Sequence, residues 1–335
     1  MIDYTFDNVF SFSNLYKACK SCYKGVNWKT STQKYRLHAL CNVAKIYEQL
    51  HAGTYKSKGF YQFIIRERGK QRTIKSVHIS ERVVQKCLCD NCLVPILSKS
   101  LIYDNGACLK SKGLNFTTNR LKAHLQQYFR KYKGNQGYVL TFDFSKFFES
   151  IPHEQLKIKV AKKLKDPRLQ KLYNYFVDQF GDIGLGLGSQ ISQISALYYI
   201  NDFDHYIKEK LHIRYYGRYM DDGYLIHPSK KYLKFCLNEI LRLSKEMGLK
   251  INLKKTKISK LENGFMFLNR HWKLTIKSYI KTKPSHKTMA RLRRKYKKLK
   301  TFAADEDIRT FLSSVHGFLK FYHNERLYKY VQNQR

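Results

Sequence analysis

The stretch YGRYMDDGYLI (216–226) constrains the fold more than any other in the chain. Aromatic and aliphatic residues flank two adjacent aspartates, the pattern of two strands joined by a turn. Neighbouring carboxylates repel each other, and neither leaves water without a partner. An Asp pair in a solvated turn is ordinary. Between apolar strands it calls for a counter-charge. The alternation puts Tyr219 and Asp221 on one face and predicts the tight turn at Asp222-Gly223.

A second strand ends in the same way. In GYVLTFDFSKFFESI (137–151), Val139, Thr141 and Asp143 share one face, with Leu140, Phe142 and Phe144 on the other. If the two strands are neighbours in a sheet, Asp143 and Asp221 converge and Asp222 lies within reach at the loop. Three convergent carboxylates relieve their repulsion by holding hard divalent cations. Mg²⁺ suits them, since it takes oxygen ligands and is completed by water and substrate phosphates. Two such ions, about 3.5–4 Å apart, activate an attacking 3′-oxygen and stabilise a leaving pyrophosphate. That chemistry is nucleotidyl transfer.

The rest of the chain carries the opposite sign. Against 25 acids stand 64 Lys and Arg, a formal charge of +39, which implies a polyanionic partner. Nucleic acid comes first. An anionic membrane surface is the alternative, but no apolar run approaches the roughly 18 residues that span a bilayer. The opening MIDYTFDNVFSF has acids where a signal peptide has basic residues, so the cytoplasm is the expected compartment. The 335 residues, 43% of them hydrophobic, allow two or three subdomains.

Two segments concentrate the positive charge. Residues 270–300 hold thirteen Lys or Arg and no acid, and residues 105–142 hold seven and no acid. Phosphate contacts from such runs give affinity without sequence choice. Trp272, Tyr279 and Tyr296 interleave the first run, as in a surface that grips a duplex. The eight cysteines fit a reducing compartment. Cys19-x-x-Cys22 and Cys89-x-x-Cys92 have a spacing that zinc uses, but no His pair follows at finger distance. Buried or surface thiols are the plainer expectation.

Periodicity predicts a β-hairpin over 61–77, with its turn near Arg68-Gly69-Lys70, and an amphipathic helix over 80–97 capped by Ser80. Helix follows over 153–180, then a Gly-rich loop opening a long helix over 184–211. Further on come a hairpin over 213–227, a helix over 230–248, short strands over 249–274, and a basic helix after Pro284.

The order and wording of these blocks resemble the reverse transcriptases over roughly residues 10–330. YVLTFDFSKFFESIPHEQL is similar to the family's first catalytic block and YMDD (219–222) to its second. RTIKSVHISERVVQ (72–85) and YDNGACLKSKGLNFTTNRL (103–121) resemble the fingers blocks, GLKINLKKTKI (248–258) the block with a basic residue near the triphosphate, and GFMFLNRHW (264–272) the primer-grip hairpin. In the last of these, Asn269 stands where the family usually has Gly.

The resemblance implies an α+β right-hand polymerase: fingers over 1–137, a palm of antiparallel sheet backed by helices over 138–274, and a helical thumb over 275–335. It implies Asp143, Asp221 and Asp222 as catalytic residues, with Phe144 joining them around two Mg²⁺ ions, Mn²⁺ being a substitute. The nucleotide and template-primer site would then include Lys70, Arg72, Phe144, Phe148, Leu187, Gly188, Gln193 and Lys255. Lys70 and Arg72 would hold triphosphate oxygens. Phe148 would be the aromatic gate that excludes a 2′-hydroxyl, while Lys255 would neutralise or protonate the leaving pyrophosphate. RNA template, DNA or RNA primer and deoxynucleoside triphosphates are the implied partners.

The Gly-rich block narrows the class. Most of the family has Gln-Gly and then Ser-Pro, whereas this chain reads LGSQISQ (187–193). That wording is similar to the reverse transcriptases of diversity-generating retroelements, and defence-associated enzymes share it. Leu187 cannot make the hydrogen bond of the usual Gln, so error-prone synthesis is expected. The retroelement resemblance implies a small basic helical-bundle accessory protein. An antiphage enzyme would instead use a dedicated non-coding RNA. In 335 residues no stretch reads as a maturase DNA-binding domain, an endonuclease or an RNase H. A basic RNA-binding protein without catalysis is the alternative from another class.

Overall fold

A computed structural model describes residues 4–67, 70–322 and 325–332, apart from the side chains of Glu67, Lys70, Arg72 and Glu325. Its centre is an antiparallel sheet in the order β4-β5-β3-β6, with β7 also pairing to β3. The strands are β3 (Tyr138–Ser145), β4 (Tyr215–Tyr219), β5 (Asp222–His227), β6 (Lys250–Ile251) and β7 (Lys257–Lys260). The first half of β3 pairs with β7 and its last residues with β6, while β5 runs along its other side.

The period-2 pattern of β3 decides how the sheet is sandwiched. Leu140, Phe142 and Phe144 enter the larger core with Tyr216 and Leu225, and the helices Gln190–Tyr199 and Lys230–Glu246 contribute to that core. Val139 faces a second core with Tyr215, Tyr224 and Ile226, closed by Leu121, Leu125 and Tyr128 of the helix Leu114–Tyr132. Both faces of the strand are therefore largely covered, Asp143 included, with only Tyr138, Thr141 and Ser145 partly exposed. Gly223 permits this packing, because a Cβ there would lie 2.3 Å from the Phe142 ring.

Two smaller sheets flank the centre. β1 (Phe60–Glu67) and β2 (Lys70–Val77) form the expected hairpin, and Arg68 and Gly69 of the expected turn lie outside the described residues. β8 (Phe265–Phe267), β9 (Arg270–Leu274) and β10 (Ile280–Pro284) form a three-stranded sheet. The β8–β9 turn places Leu268 and Asn269 at φ 51° and 60°. Asn tolerates that left-handed conformation, so the turn closes without the usual Gly. Beyond it the helices His286–Phe302, Asp305–Lys320 and Glu325–Gln332 form a small bundle around Met289, Val315, Leu319 and Val331. The Arg270 guanidinium lies 3.6 Å from the centre of the Phe321 ring, between β9 and that bundle.

Several local expectations are corrected. The helix expected over 80–97 runs Ile79–Leu88, capped by the His78 side chain, which accepts from the Ser80 N–H at 3.2 Å. It passes into a π-helical turn, Cys89–Leu93, before Val94–Leu97. Pro95 lacks the N–H that would continue the regular ladder. The helix expected over 153–180 is two, His153–Ala161 and Pro167–Asp178, because Asp166 caps the second and Pro167 starts it. Trp272 is fully buried, with its Nε1 donating to the Phe267 carbonyl at 3.2 Å, so it belongs to the core and not to a gripping surface. Tyr279 is 65% exposed, as a gripping residue requires. Cys19, Cys22, Cys89 and Cys92 are buried free thiols, and burial pushes those of Cys22 and Cys92 up to about 12. No described helix is long and apolar enough to cross a membrane.

Candidate active site

The site grows out of one register. Pairing of β3 with β5 sets Asp143 directly opposite Asp222, and the Phe144 N–H donates to the Asp221 carbonyl at 3.0 Å. Opposed residues in an antiparallel pair have their Cα atoms about 4.5–5.5 Å apart, so the three carboxylates share one end of the sheet. The convergence expected from the sequence is present, but two roles exchange. The turn is Met220-Asp221, since Tyr219 already pairs with Asp222. Asp222 is thus the strand residue facing Asp143, and Asp221 sits at the bend. The sequence pattern misplaced the turn because Asp-Gly is the commoner hairpin signal. Gly223 is needed here for its closeness to Phe142.

Asp143 is 6% exposed and heavily engaged. The Lys255 ammonium lies 2.9 Å from Oδ1 and 2.8 Å from Oδ2, and the Asn252 side-chain amide lies 3.3 Å from Oδ1. The Asn252 N–H also donates to the Asp143 carbonyl at 2.7 Å. Burial works to lower the Lys255 pKa, but the hydrogen bond to Asp143 and the charges of all three aspartates leave it raised. Asp222 moves the other way for a carboxylate. Burial, then the charges of Asp221 and Asp143, push it up to about 7. Crowded, part-buried carboxylates with one ammonium among them form a strongly cation-seeking site.

The donor set suits a hard divalent ion: all the acidic ligands are oxygens, and their repulsion is what such an ion would relieve. Among the described residues no group of three His, Cys, Asp or Glu side chains is arranged to hold a metal ion. The cation that pairs with Asp143 is the Lys255 ammonium. Phe144 packs its ring into the core, stacked on Phe147 at 5.4 Å, so only its backbone faces the site.

The remaining expected residues divide clearly. Phe147 is buried and Phe148 partly exposed, so core packing falls to the first and leaves the second available as a gate. The Phe148 carbonyl accepts from the Leu185 N–H at 2.6 Å, which ties the Gly-rich loop to this ring. Gly188 has φ 97°, a conformation that favours glycine, and Leu187 beside it is partly exposed. Gln193 lies one turn into the helix Gln190–Tyr199 and is partly buried. Lys70 and Arg72 lie on β2, opposite Glu67 and Ile65, and their side chains are outside the described residues.

Sequence reasoning missed the groups that support these. Arg218 and Asp204 are both fully buried and paired at 2.6 Å, and a second Arg218 nitrogen donates to the Met220 carbonyl at 2.8 Å. The signal was legible: an arginine inside the aromatic run of β4 needs a buried acid. Asp104 holds Arg120 at 2.7 Å and Lys208 at 2.8 Å, beside His124, whose Nδ1 lies 2.9 Å from the Tyr224 hydroxyl. Burial lowers His124 to about 4, which keeps it neutral under the sheet. Gln85 accepts from the Ser189 hydroxyl at 3.2 Å and so anchors the Gly-rich loop.

The fold is shared with solved telomerases. Telomerase of Candida albicans, solved in complex with a TWJ fragment of telomeric RNA, superposes with TM-score 0.54 at 12% identity over 82% of this chain and 56% of that one. Apo telomerase of Candida tropicalis gives 0.52 at 15% identity over 73% and 53%. Its form truncated from the C-terminal domain gives 0.50 at 13% identity over 73% and 60%. The chain therefore spans little more than half the length of these structures. No curated protein sequence matches it. Residues 29–277 match the family described as reverse transcriptase (RNA-dependent DNA polymerase), which is most of the chain. The chain belongs to that reverse transcriptase family.

Proposed function

We propose that this protein copies RNA into DNA, with Asp143, Asp221 and Asp222 as its catalytic carboxylates. The observation that carries the reading is the register of β3 against β5, with Asp143 opposite Asp222 and the Phe144 N–H bonded to Asp221. Asp143, Asp221, Asp222 and the Phe144 carbonyl would hold two Mg²⁺ ions, with Mn²⁺ as a substitute. When bound, such ions activate the primer 3′-oxygen and neutralise charge on the leaving pyrophosphate. The chain's own residues bind and orient. Lys255 moves from Asp143 toward the triphosphate, where an ammonium stabilises the departing charge. Lys70 and Arg72 hold phosphate oxygens. Phe148 sets a flat ring under the sugar and leaves no volume for a 2′-hydroxyl. Leu187, Gly188 and Gln193 form the floor under the nascent pair.

The right-hand division follows as fingers over 1–137, palm over 138–274 and thumb over 275–335. The exposed lysines and arginines of β10 and the helix His286–Phe302 grip the duplex backbone, and those of the helix Leu114–Tyr132 line the template side. The loop wording LGSQISQ favours an error-prone enzyme of a diversity-generating retroelement, working with a small basic helical-bundle protein. RNA copurifying with the expressed protein separates this from an antiphage enzyme. A template repeat supports the first reading, and one dedicated non-coding RNA replaces it with the second. The activity is tested by primer extension on an RNA template with the purified protein, alone and as Asp221→Ala and Asp222→Ala. Synthesis lost in the variants with RNA binding retained supports catalysis. No synthesis by the unmodified protein leaves a basic RNA binder.

A further inference from the structure

We propose that the buried Asp204–Arg218 pair is the positioning element of the catalytic turn. This deepens the reading of the site as a polymerase centre and rests on it. Both side chains are fully buried. The Arg218 Nε lies 2.8 Å and 3.1 Å from the two Asp204 oxygens, and Nη2 lies 2.6 Å from Oδ2. The Tyr216 hydroxyl donates to Oδ1 at 2.6 Å. The fork is therefore fixed in plane and direction from inside the core.

Its remaining nitrogen does something a structural ion pair need not do. Nη1 donates to the Met220 carbonyl at 2.8 Å, and Met220 has φ 52°. A methionine in the left-handed region is strained and persists only where its surroundings hold it. The next residue is Asp221, whose carbonyl accepts from Phe144 beside Asp143. The backbone of Arg218 is pinned as well: its N–H donates to the Asp104 carbonyl at 3.2 Å, and its carbonyl accepts from Gly106 at 2.9 Å. One rigid path thus runs from Asp204 through Arg218 and Met220 to Asp221 at the bend and Asp222 at the start of β5. A buried ion pair is often no more stabilising than an apolar pair of the same volume. The Met220 carbonyl contact is what an apolar pair cannot reproduce, and it points to placement of the carboxylates as the role.

The test is the double variant Asp204→Leu/Arg218→Met, which leaves no unpaired charge. Its melting temperature, primer-extension kcat and KM, and Mn²⁺ affinity by calorimetry are compared with those of the unmodified protein. The expected result is a folded protein whose KM for nucleotide stays within about threefold. Its kcat falls about 10²-fold, the effect of roughly 1 Å of misplacement, and Mn²⁺ binding weakens about tenfold. Arg218→Lys, which keeps the charge but cannot form the whole fork, should not restore kcat. Should the double variant fail to fold, Tyr216→Phe loosens the fork by one hydrogen bond and should lower kcat several-fold with KM unchanged. A folded double variant, or Tyr216→Phe in its place, with unaltered kcat and Mn²⁺ affinity overturns the proposal. A protein that makes no DNA in any form refutes the polymerase reading instead, and the Mn²⁺ affinities still decide the positioning role.

Discussion

Replacing Asp222 by Asn should remove activity and stabilise the protein, and the size of the gain follows from the site. Burial and two neighbouring carboxylates raise Asp222 from 3.8 to about 7. The folded state therefore holds this proton more tightly than the unfolded chain does. The group's contribution to stability is complete below about pH 4 and is lost as the pH rises through about 7. A rise of that size corresponds to about 4 kcal/mol. Because Asp222 is only partly buried, solvent screening brings the expected cost nearer 2 kcal/mol. The amide introduced by Asp222→Asn has nearly the same shape as the carboxylate and carries no charge, so it escapes the cost. In buffer free of divalent ions at pH 8 the variant should melt about 3 °C higher. The gap should close toward pH 4, and also on adding Mg²⁺, which would stabilise the unmodified protein by binding its folded form. Calorimetric melting across pH 4–8 measures this. A variant that melts at or below the unmodified protein at pH 8, or a gap that does not narrow at pH 4, refutes the reasoning about like-charge crowding.

Other perturbations have defined outcomes. Lys255→Gln frees Asp143 from its ammonium, so Mn²⁺ should bind the nucleotide-free protein several-fold more tightly by calorimetry, while kcat falls about 10²-fold; weaker Mn²⁺ binding would count against Lys255 as a stand-in cation. Phe148→Ala opens space beneath the sugar, and competition between ribo- and deoxynucleotides should show ribonucleotide entry rising at least tenfold. Leu187→Gln restores a hydrogen-bonding group under the nascent pair, so sequencing of complementary DNA made on a defined RNA should show fewer errors. Trp272→Ala empties a fully buried indole site and should cost about 3–5 kcal/mol in denaturant unfolding.

The sequence revealed the chemistry better than the bends that position it. Alternation on β3 put Asp143 on the right face, because a one-residue slip would have turned Phe142 and Phe144 outward. The hairpin was found but its turn was placed two residues late, since local turn preference favours Asp-Gly and only the packing of Phe142 against Gly223 decides otherwise. The π-helical turn at Cys89–Leu93 and the break at Asp166-Pro167 lie inside continuous apolar periodicity, where Pro is the only local warning. Trp272 read as a nucleic-acid contact because basic residues surround it. On the strand only the adjacent His271 and Lys273 point outward, while the ring turns in with the buried Arg270. Buried partners far apart in sequence, such as Asp204 with Arg218 or Asp104 with Arg120 and Lys208, leave no spacing signature.

The central claim is that Asp143, Asp221 and Asp222 act together as one divalent-cation site, and calorimetric titration with Mn²⁺ tests it most directly. The unmodified protein should take up Mn²⁺ saturably, and Asp143→Asn, although its residue lies far in sequence from the other two, should lose that uptake as fully as Asp222→Asn. Undiminished Mn²⁺ binding by a folded Asp143→Asn protein would contradict the account.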